Sequence, residues 1–161
     1  MAIRFMRTEG DEVLRKKAMP VKRFDAALGR ILDDMAESMY HYEGVGLAAP
    51  QIGISKQIVV VDVADSGLLE LVNPKIVASQ GEELDIEGCL SVPFTYGEVI
   101  RAASVTVVAQ DRCGEAIEVE AEGLFARALQ HEIDHLHGVL FIDRATRILP
   151  ADDGSALEPE D

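Results

Sequence analysis

Over residues 25–42, DAALGRILDDMAESMYHY, apolar side chains recur at three- and four-residue spacing. Leu28, Ile31, Leu32, Met35, Met39 and Tyr42 therefore share one stripe of a predicted helix. Asp25 is placed to cap its first turn and Gly44 to stop it. A shorter helical piece is expected around Asp11 to Ala18. The period then changes. QIVVVDV (57–63) is β-branched and strand-like, and LELVNPKIVAS (69–79) reads as two short strands broken at Asn73-Pro74. SVTVVAQ (104–110) and EAIEVEA (115–121) alternate, with Asp111-Arg112-Cys113-Gly114 between them as a hairpin turn. A helical period returns in GLFARALQHEIDHLHG (123–138), with Gly138 as its stop. No repeat and no second domain is visible. The pattern predicts one compact α+β domain over 1–148. The acidic stretch at 149–161 has no periodicity and is expected to be a disordered tail.

Composition sets limits on partners. Apolar residues make up 48% of the 161-residue chain, enough for a buried core without staples. With 29 acids against 15 basic side chains the formal charge is −14, which disfavours nucleic acid or an anionic membrane as a direct partner. The opening MAIRFMRTEGDEVLRKK is charged throughout, unlike a signal peptide. IVVVDVA is far too short to span a bilayer and contains Asp62. Cys89 and Cys113 make no disulfide framework, so a cytoplasmic protein with free thiols is expected.

The densest chemistry lies in QHEIDHLHG (130–138). On a helix His131 and His135 differ by about 40° around the axis and share a face with Leu124 and Ala128. With Glu132 beside them they form HExxH, the spacing of two metal ligands and a general base. His137 turns about 200° away from His135 and is expected to face solvent.

A catalytic metal needs a third protein ligand and an open position. The extended pattern HExxHxxGxxH is followed through Gly138 and then fails at Phe141. Glu158 and Glu160 lie in the tail and make poor ligands. Cys113 suits the tip of a hairpin, and His41 sits among polar neighbours on the first helix. Cys89, in the predicted loop DIEGCLSVP, is the best remaining candidate.

Together, GVGLAAPQIG (44–53), EGCLS (87–91) and QHEIDHL (130–136) resemble the three signature motifs of bacterial peptide deformylases, in the family's order. The resemblance implies antiparallel sheets packed around a central helix that bears HExxH. It implies that Cys89, His131 and His135 hold one divalent metal, most often Fe(II), with Zn(II) or Ni(II) also suited. The implied reaction is hydrolysis of the N-formyl group of N-formylmethionyl peptides of nascent proteins, releasing formate. Glu132 would act as general base, and the Gln51 amide and Leu90 N–H would stabilise the oxyanion. Val45 and Gly46 would pair with the substrate backbone, and Leu124 and Ala128 would wall the methionine slot. The family also suggests an ion pair between Glu43 and Arg101. Arg127 is expected to pack its stem and send its charge to water. Asp134, off the ligand face, is expected either to steady the site or to be solvated.

Some members of that family dock on the ribosome through a basic helical C-terminus. Here the end is acidic, so any ribosome contact is expected on another surface. The rival readings are a metallopeptidase of HExxH type, against which Phe141 and EGCLS argue, and a non-catalytic metal-binding domain. The latter would need a fourth protein ligand that the sequence does not offer.

Overall fold

The apolar stripe over 25–42 forms α1 (Ala26–His41) in the computed structural model, which describes residues 2–63 and 66–150. Asp25 caps it, its Oδ1 accepting from the Leu28 N–H at 3.2 Å. The stop differs from expectation. Glu43 itself takes the left-handed turn at φ 60°, and the Gly44 N–H reaches back to the Met39 carbonyl at 2.9 Å. The piece near Asp11 is a single 3₁₀ turn, Glu12–Arg15, capped by Asp11.

Two antiparallel sheets carry the rest. The five-stranded sheet has the order β1-β2-β3-β6-β7, formed by β1 (Gly46–Ala48), β2 (Ile58–Val61), β3 (Leu69–Gln80), β6 (Ser104–Gln110) and β7 (Ala116–Glu122). The three-stranded sheet has the order β4-β5-β8, formed by β4 (Glu83–Cys89), β5 (Val92–Arg101) and β8 (Arg147–Pro150). The remaining helices are α2 (Gly123–His135) and the short α3 (Phe141–Arg144). The architecture is α+β with antiparallel sheets, as the pattern predicted.

β2 explains why the run IVVV is apolar throughout rather than alternating. Ile58 and Val60 join Leu28, Leu32, Met35 and Met39 of α1 in one core cluster. Val59 and Val61 point the other way, into a cluster with Ala126, Leu129 and Ile133 of α2. A strand covered on both faces buries every side chain, and each such residue contributes about 1.5–3 kcal/mol. A third cluster, around Leu14, Val92, Val99, Leu140 and Phe141, ties α3 to β5.

Three segments differ from the sequence reading. Residues 69–79 are not two strands but the single β3, whose pairing with β6 slips between Val72 and Lys75. Asn73 takes φ 54° there, and its side chain replaces the lost ladder bonds, accepting from Val21 N at 2.8 Å and donating to Val21 O at 3.0 Å. The segment DIEGCLSVP is not a loop: it spans most of a hairpin, with a tight turn at Leu90 and Ser91 between β4 and β5. Leu149 and Pro150, placed in the tail from sequence, are the last residues of β8 and pair with Tyr96 and Thr95. The rest of the expected tail, 151–161, lies outside the described residues.

Candidate metal centre

β4 ends on Cys89, and α2 presents His131 and His135 one turn apart on the face turned toward it. Sγ of Cys89 and one ring nitrogen of each histidine lie within 4.8 Å of one another. Sγ of Cys89 is 3.4 Å from His135 Nε2. Gly88 fixes the strand end. A Cβ there would meet the Tyr96 ring at 2.8 Å, so the ring lies directly over the backbone that leads into Cys89.

Glu87, in the same strand, holds the site from behind. Its carboxylate accepts from Arg101 Nε at 2.8 Å and Nη2 at 2.9 Å, and from Arg127 Nη1 at 2.7 Å. It also lies 3.0 Å from His131 Nδ1. A hydrogen on Nδ1 facing this carboxylate leaves Nε2 of His131 as a lone pair toward the cluster. Asp134 completes the frame, accepting from Arg101 Nη1 at 2.6 Å and from Arg144 Nε at 2.6 Å. It is therefore neither idle nor solvated; it braces Arg101.

These groups shift one another. Burial opposes charge on Glu87, but Arg101 and His131 outweigh it and hold the carboxyl well below its usual range. Burial likewise opposes a charged His131, yet Cys89 and Glu87 raise its pKa well above the usual value. His135 goes the other way, lowered by burial and by its neighbour His131. Burial pushes the carboxyl of Glu132 up to about 7, with His131 pulling it down and Glu87 pushing it up.

The donor set fits a divalent transition metal. One thiol and two imidazoles suit Zn(II), Fe(II) or Ni(II). Among the described residues, Glu132 Oε1 beside the cluster is buried without a hydrogen-bond partner; His135 Nδ1 is too, although it is Nε2 of that ring that faces Cys89. Buried polar atoms are seldom left so by protein groups alone.

A cavity of about 500 Å³ opens in front of the cluster, lined by Gly46, Gln51, Leu90, Leu124, Ala128 and Glu132 among others. Gln51 donates from Nε2 to Ser91 Oγ at 3.2 Å and to Cys89 Sγ at 3.6 Å, while its Oε1 accepts from Ala48 N at 3.0 Å. Gly46 is required for close approach: a Cβ there would fall 2.7 Å from Glu132 Oε2. β1 is an edge strand, with no strand on its other side among the described residues. Leu124 sits at the mouth, 60% exposed, while Ala128 is buried deeper.

The site residues expected from sequence border one cavity except His135, which is fully buried and joins the cluster through Nε2, 3.4 Å from Cys89 Sγ. His41, His137 and Cys113 stay exposed and apart. Phe141 is a buried wall, its ring stacked beside that of His131 at 6.2 Å between centroids. Two expectations fail. Arg101 pairs with Glu87 and Asp134 rather than Glu43, and Arg127 is 6% exposed. Its guanidinium is spent on Glu87 and on the carbonyls of Val99 (3.0 Å) and Glu83 (2.8 Å). Not assigned from sequence were Glu87, Tyr96, Ile86 and Phe94; only the place of Glu87 inside EGCLS offered a signal.

Comparison with known proteins agrees with this geometry. The model of the polypeptide deformylase family matches residues 3–150. A peptide deformylase of Acetivibrio thermocellus is 55% identical over 153 residues, covering 95% of this chain and 89% of that protein. The crystal structure of a peptide deformylase from Legionella pneumophila superposes with a TM-score of 0.87 at 50% identity, over 90% of this chain and 87% of that one. The peptide deformylase structure from Thermotoga maritima gives 0.88 at 46% identity, over 91% and 99%. With three motifs converging on one cavity and relatives matched over nearly their full length, the chain belongs to the peptide deformylase family.

Proposed function

We propose that Cys89, His131 and His135 hold a single divalent metal ion, with Fe(II) as the working ion, and that the cavity before them hydrolyses N-formylmethionyl peptides. In this reading α2 is the central HExxH-bearing helix between the two sheets. Removal of the formyl group as formate is the reaction of this family of metal-dependent hydrolases. The observation that carries the residue assignment is the convergence of one thiol and two imidazoles beside a buried carboxylate with an unpartnered oxygen.

A divalent ion held there supplies Lewis acidity, making water a nucleophile at neutral pH and steadying charge on the attacked oxygen. The remaining work falls to side chains. Glu132 takes a proton from the attacking water, which suits a carboxyl whose pKa is near the working pH. The oxygen adds to the formyl carbon, the C–N bond breaks, and Glu132 returns the proton to the leaving amine. Gln51 Nε2, already aimed at Cys89, and the Leu90 N–H donate to the developing oxyanion. The outer edge of β1 at Val45 and Gly46 pairs with the peptide backbone, and Leu124 and Ala128 wall the methionine side chain.

We place the enzyme in the cytoplasm, acting on nascent chains and reaching the ribosome, where it does so, by a surface other than its acidic C-terminus. The net charge of −14 supports that choice. Among the described residues no helix is long and apolar enough to cross a membrane.

Anaerobically purified protein should release formate from formyl-Met-Ala-Ser and leave acetyl-Met-Ala-Ser nearly untouched, with about one metal per chain. Cys89→Ala should lose the metal, whereas Glu132→Gln should keep it and lose turnover. Full metal binding without formate release under iron, nickel or zinc would overturn the assignment.

A further inference from the structure

Among the described residues, three other than glycine adopt the left-handed backbone: Glu43 at φ 60°, Asn73 at 54° and Phe94 at 62°. For an L side chain with a Cβ this conformation is strained. Two of the three have a local reason. Glu43 ends α1 where such a turn is usual, and the backbone bonds around it close the helix. Asn73 tolerates the conformation and ties it down with side-chain bonds to Val21 and Gln110.

Phe94 has no such return. It follows Pro93 in β5, the residue is 80% exposed, and it belongs to none of the three apolar clusters. The fold gains nothing visible from a strained, solvated phenyl group. Yet Phe94 lines the cavity in front of Cys89. Val45, Ile86 and Leu124, each between 47% and 60% exposed, line the same cavity. Four large apolar side chains thus ring one opening, on a chain of net charge −14. Strain and exposed apolar surface that bring no folding advantage are expected where a ligand is contacted.

We infer that Phe94 is a specificity residue, an apolar platform for the side chains that follow formylmethionine in the substrate. The inference rests on the proposed deformylase reading and extends it to peptide sequence. Bulky apolar or aromatic residues in the second and third positions are favoured over small ones. Acidic residues are disfavoured most, because the exposed carboxylate of Glu43 lies at the same mouth.

The test compares formyl-Met-Phe-Ser, formyl-Met-Ala-Leu and formyl-Met-Ala-Ser on the metal-loaded parent, Phe94→Ala and Phe94→Gly. In both variants kcat/KM for the two apolar peptides should fall about five- to tenfold relative to formyl-Met-Ala-Ser, the loss expected for one apolar contact. Phe94→Gly should melt at or above the parent's temperature, since glycine removes the strain. An equal change for all three peptides, or a lower Tm with general loss of activity, would overturn the inference and make Phe94 a structural residue. Binding of the same peptides to Glu132→Gln and to Glu132→Gln/Phe94→Gly, read by calorimetry, separates the two proposals. A selective loss there supports the platform even if the parent released no formate, and no selectivity sinks it whatever the turnover.

Discussion

Glu87 shows how much of the site hangs on one carboxylate. Its two oxygens take four contacts, from Arg101 twice, Arg127 and His131, and its side chain is 5% exposed. Removing one member of such a buried set leaves the others charged and uncompensated, which costs about 3–5 kcal/mol. Glu87→Gln should therefore lower the urea midpoint sharply, since Arg127 keeps only carbonyl partners. Asp134 still braces Arg101, so the loss should fall short of unfolding. Glutamine keeps one acceptor oxygen and no charge, so the His131 imidazole must compete with Arg101 and Arg127 for it, and metal affinity should drop about 10- to 100-fold. A chelator competition against the parent measures that drop; an unchanged affinity would show that Glu87 only supports the fold. His131 and His135 were legible because four-residue spacing on a helix is local information. Glu87 was not, because its partners lie 14, 40 and 44 residues away. The same distance hid the burial of Arg127, whose place beside the helix stripe looked like a rim position.

Elements with a single rhythm were readable, and elements serving two surroundings were not. α1, β6 and β7 follow one period because each has one buried side, whereas α2 was legible from its HExxH spacing and its glycine stop although it is buried on most faces. β4 and β5 escaped notice because their outer face is open, leaving Leu84, Ile86 and Ile100 about half exposed among charges and glycines. β3 looked broken at Asn73-Pro74 because the bulge is repaired by side-chain bonds that no local pattern reveals. At the end of α2, by contrast, Gly138 was expected as a stop, and its geometry shows why only glycine fits. It takes φ 76°, and a Cβ there would sit 2.5 Å from the Arg15 carbonyl oxygen. The Ala18 N–H also bonds the Leu136 carbonyl at 2.8 Å, so the N-terminal segment is docked on this helix end. Gly138→Ala must combine a left-handed alanine with backbone overlap and should destabilise the chain by about 2–4 kcal/mol. Denaturant unfolding checks this, and a loss below about 1 kcal/mol would mean that the N-terminal segment can move aside without consequence.

Across the whole molecule the ionic contacts divide by residue type. Among the described residues every ion pair made by a long basic side chain uses arginine, and no lysine takes part. Several of the carboxylates so held are tied in place by folding. Asp34 on α1 accepts from the Ala2 N–H at 2.7 Å and from Arg4 Nε at 2.8 Å, fastening the N-terminus to the helix. Burial opposes its charge, but Arg4 and that amide outweigh it and lower its pKa below the ordinary 3.8. Glu87 is lowered from 4.5 and Asp143 from 3.8 in the same direction. A carboxyl with a lowered folded pKa binds its proton more weakly folded than unfolded. Its stabilisation is therefore complete above the unfolded value and is lost as pH falls through the folded one. The stabilisation that these three carboxyls contribute should hold down to about pH 5 and then decline steadily toward pH 2. Over the first part of that fall the surface loses its excess negative charge, which relieves repulsion and works the other way. Added salt screens the surface term far more than the buried one, so the decline should persist at high ionic strength. Asp34→Asn should start less stable at neutral pH and show a shallower acid limb, converging on the parent as pH falls through the lowered pKa of Asp34. Urea midpoints taken at each pH for the two proteins would test this directly. Parallel acid limbs would mean that Asp34 keeps its proton affinity on unfolding and that the N-terminal tether contributes nothing to the pH dependence.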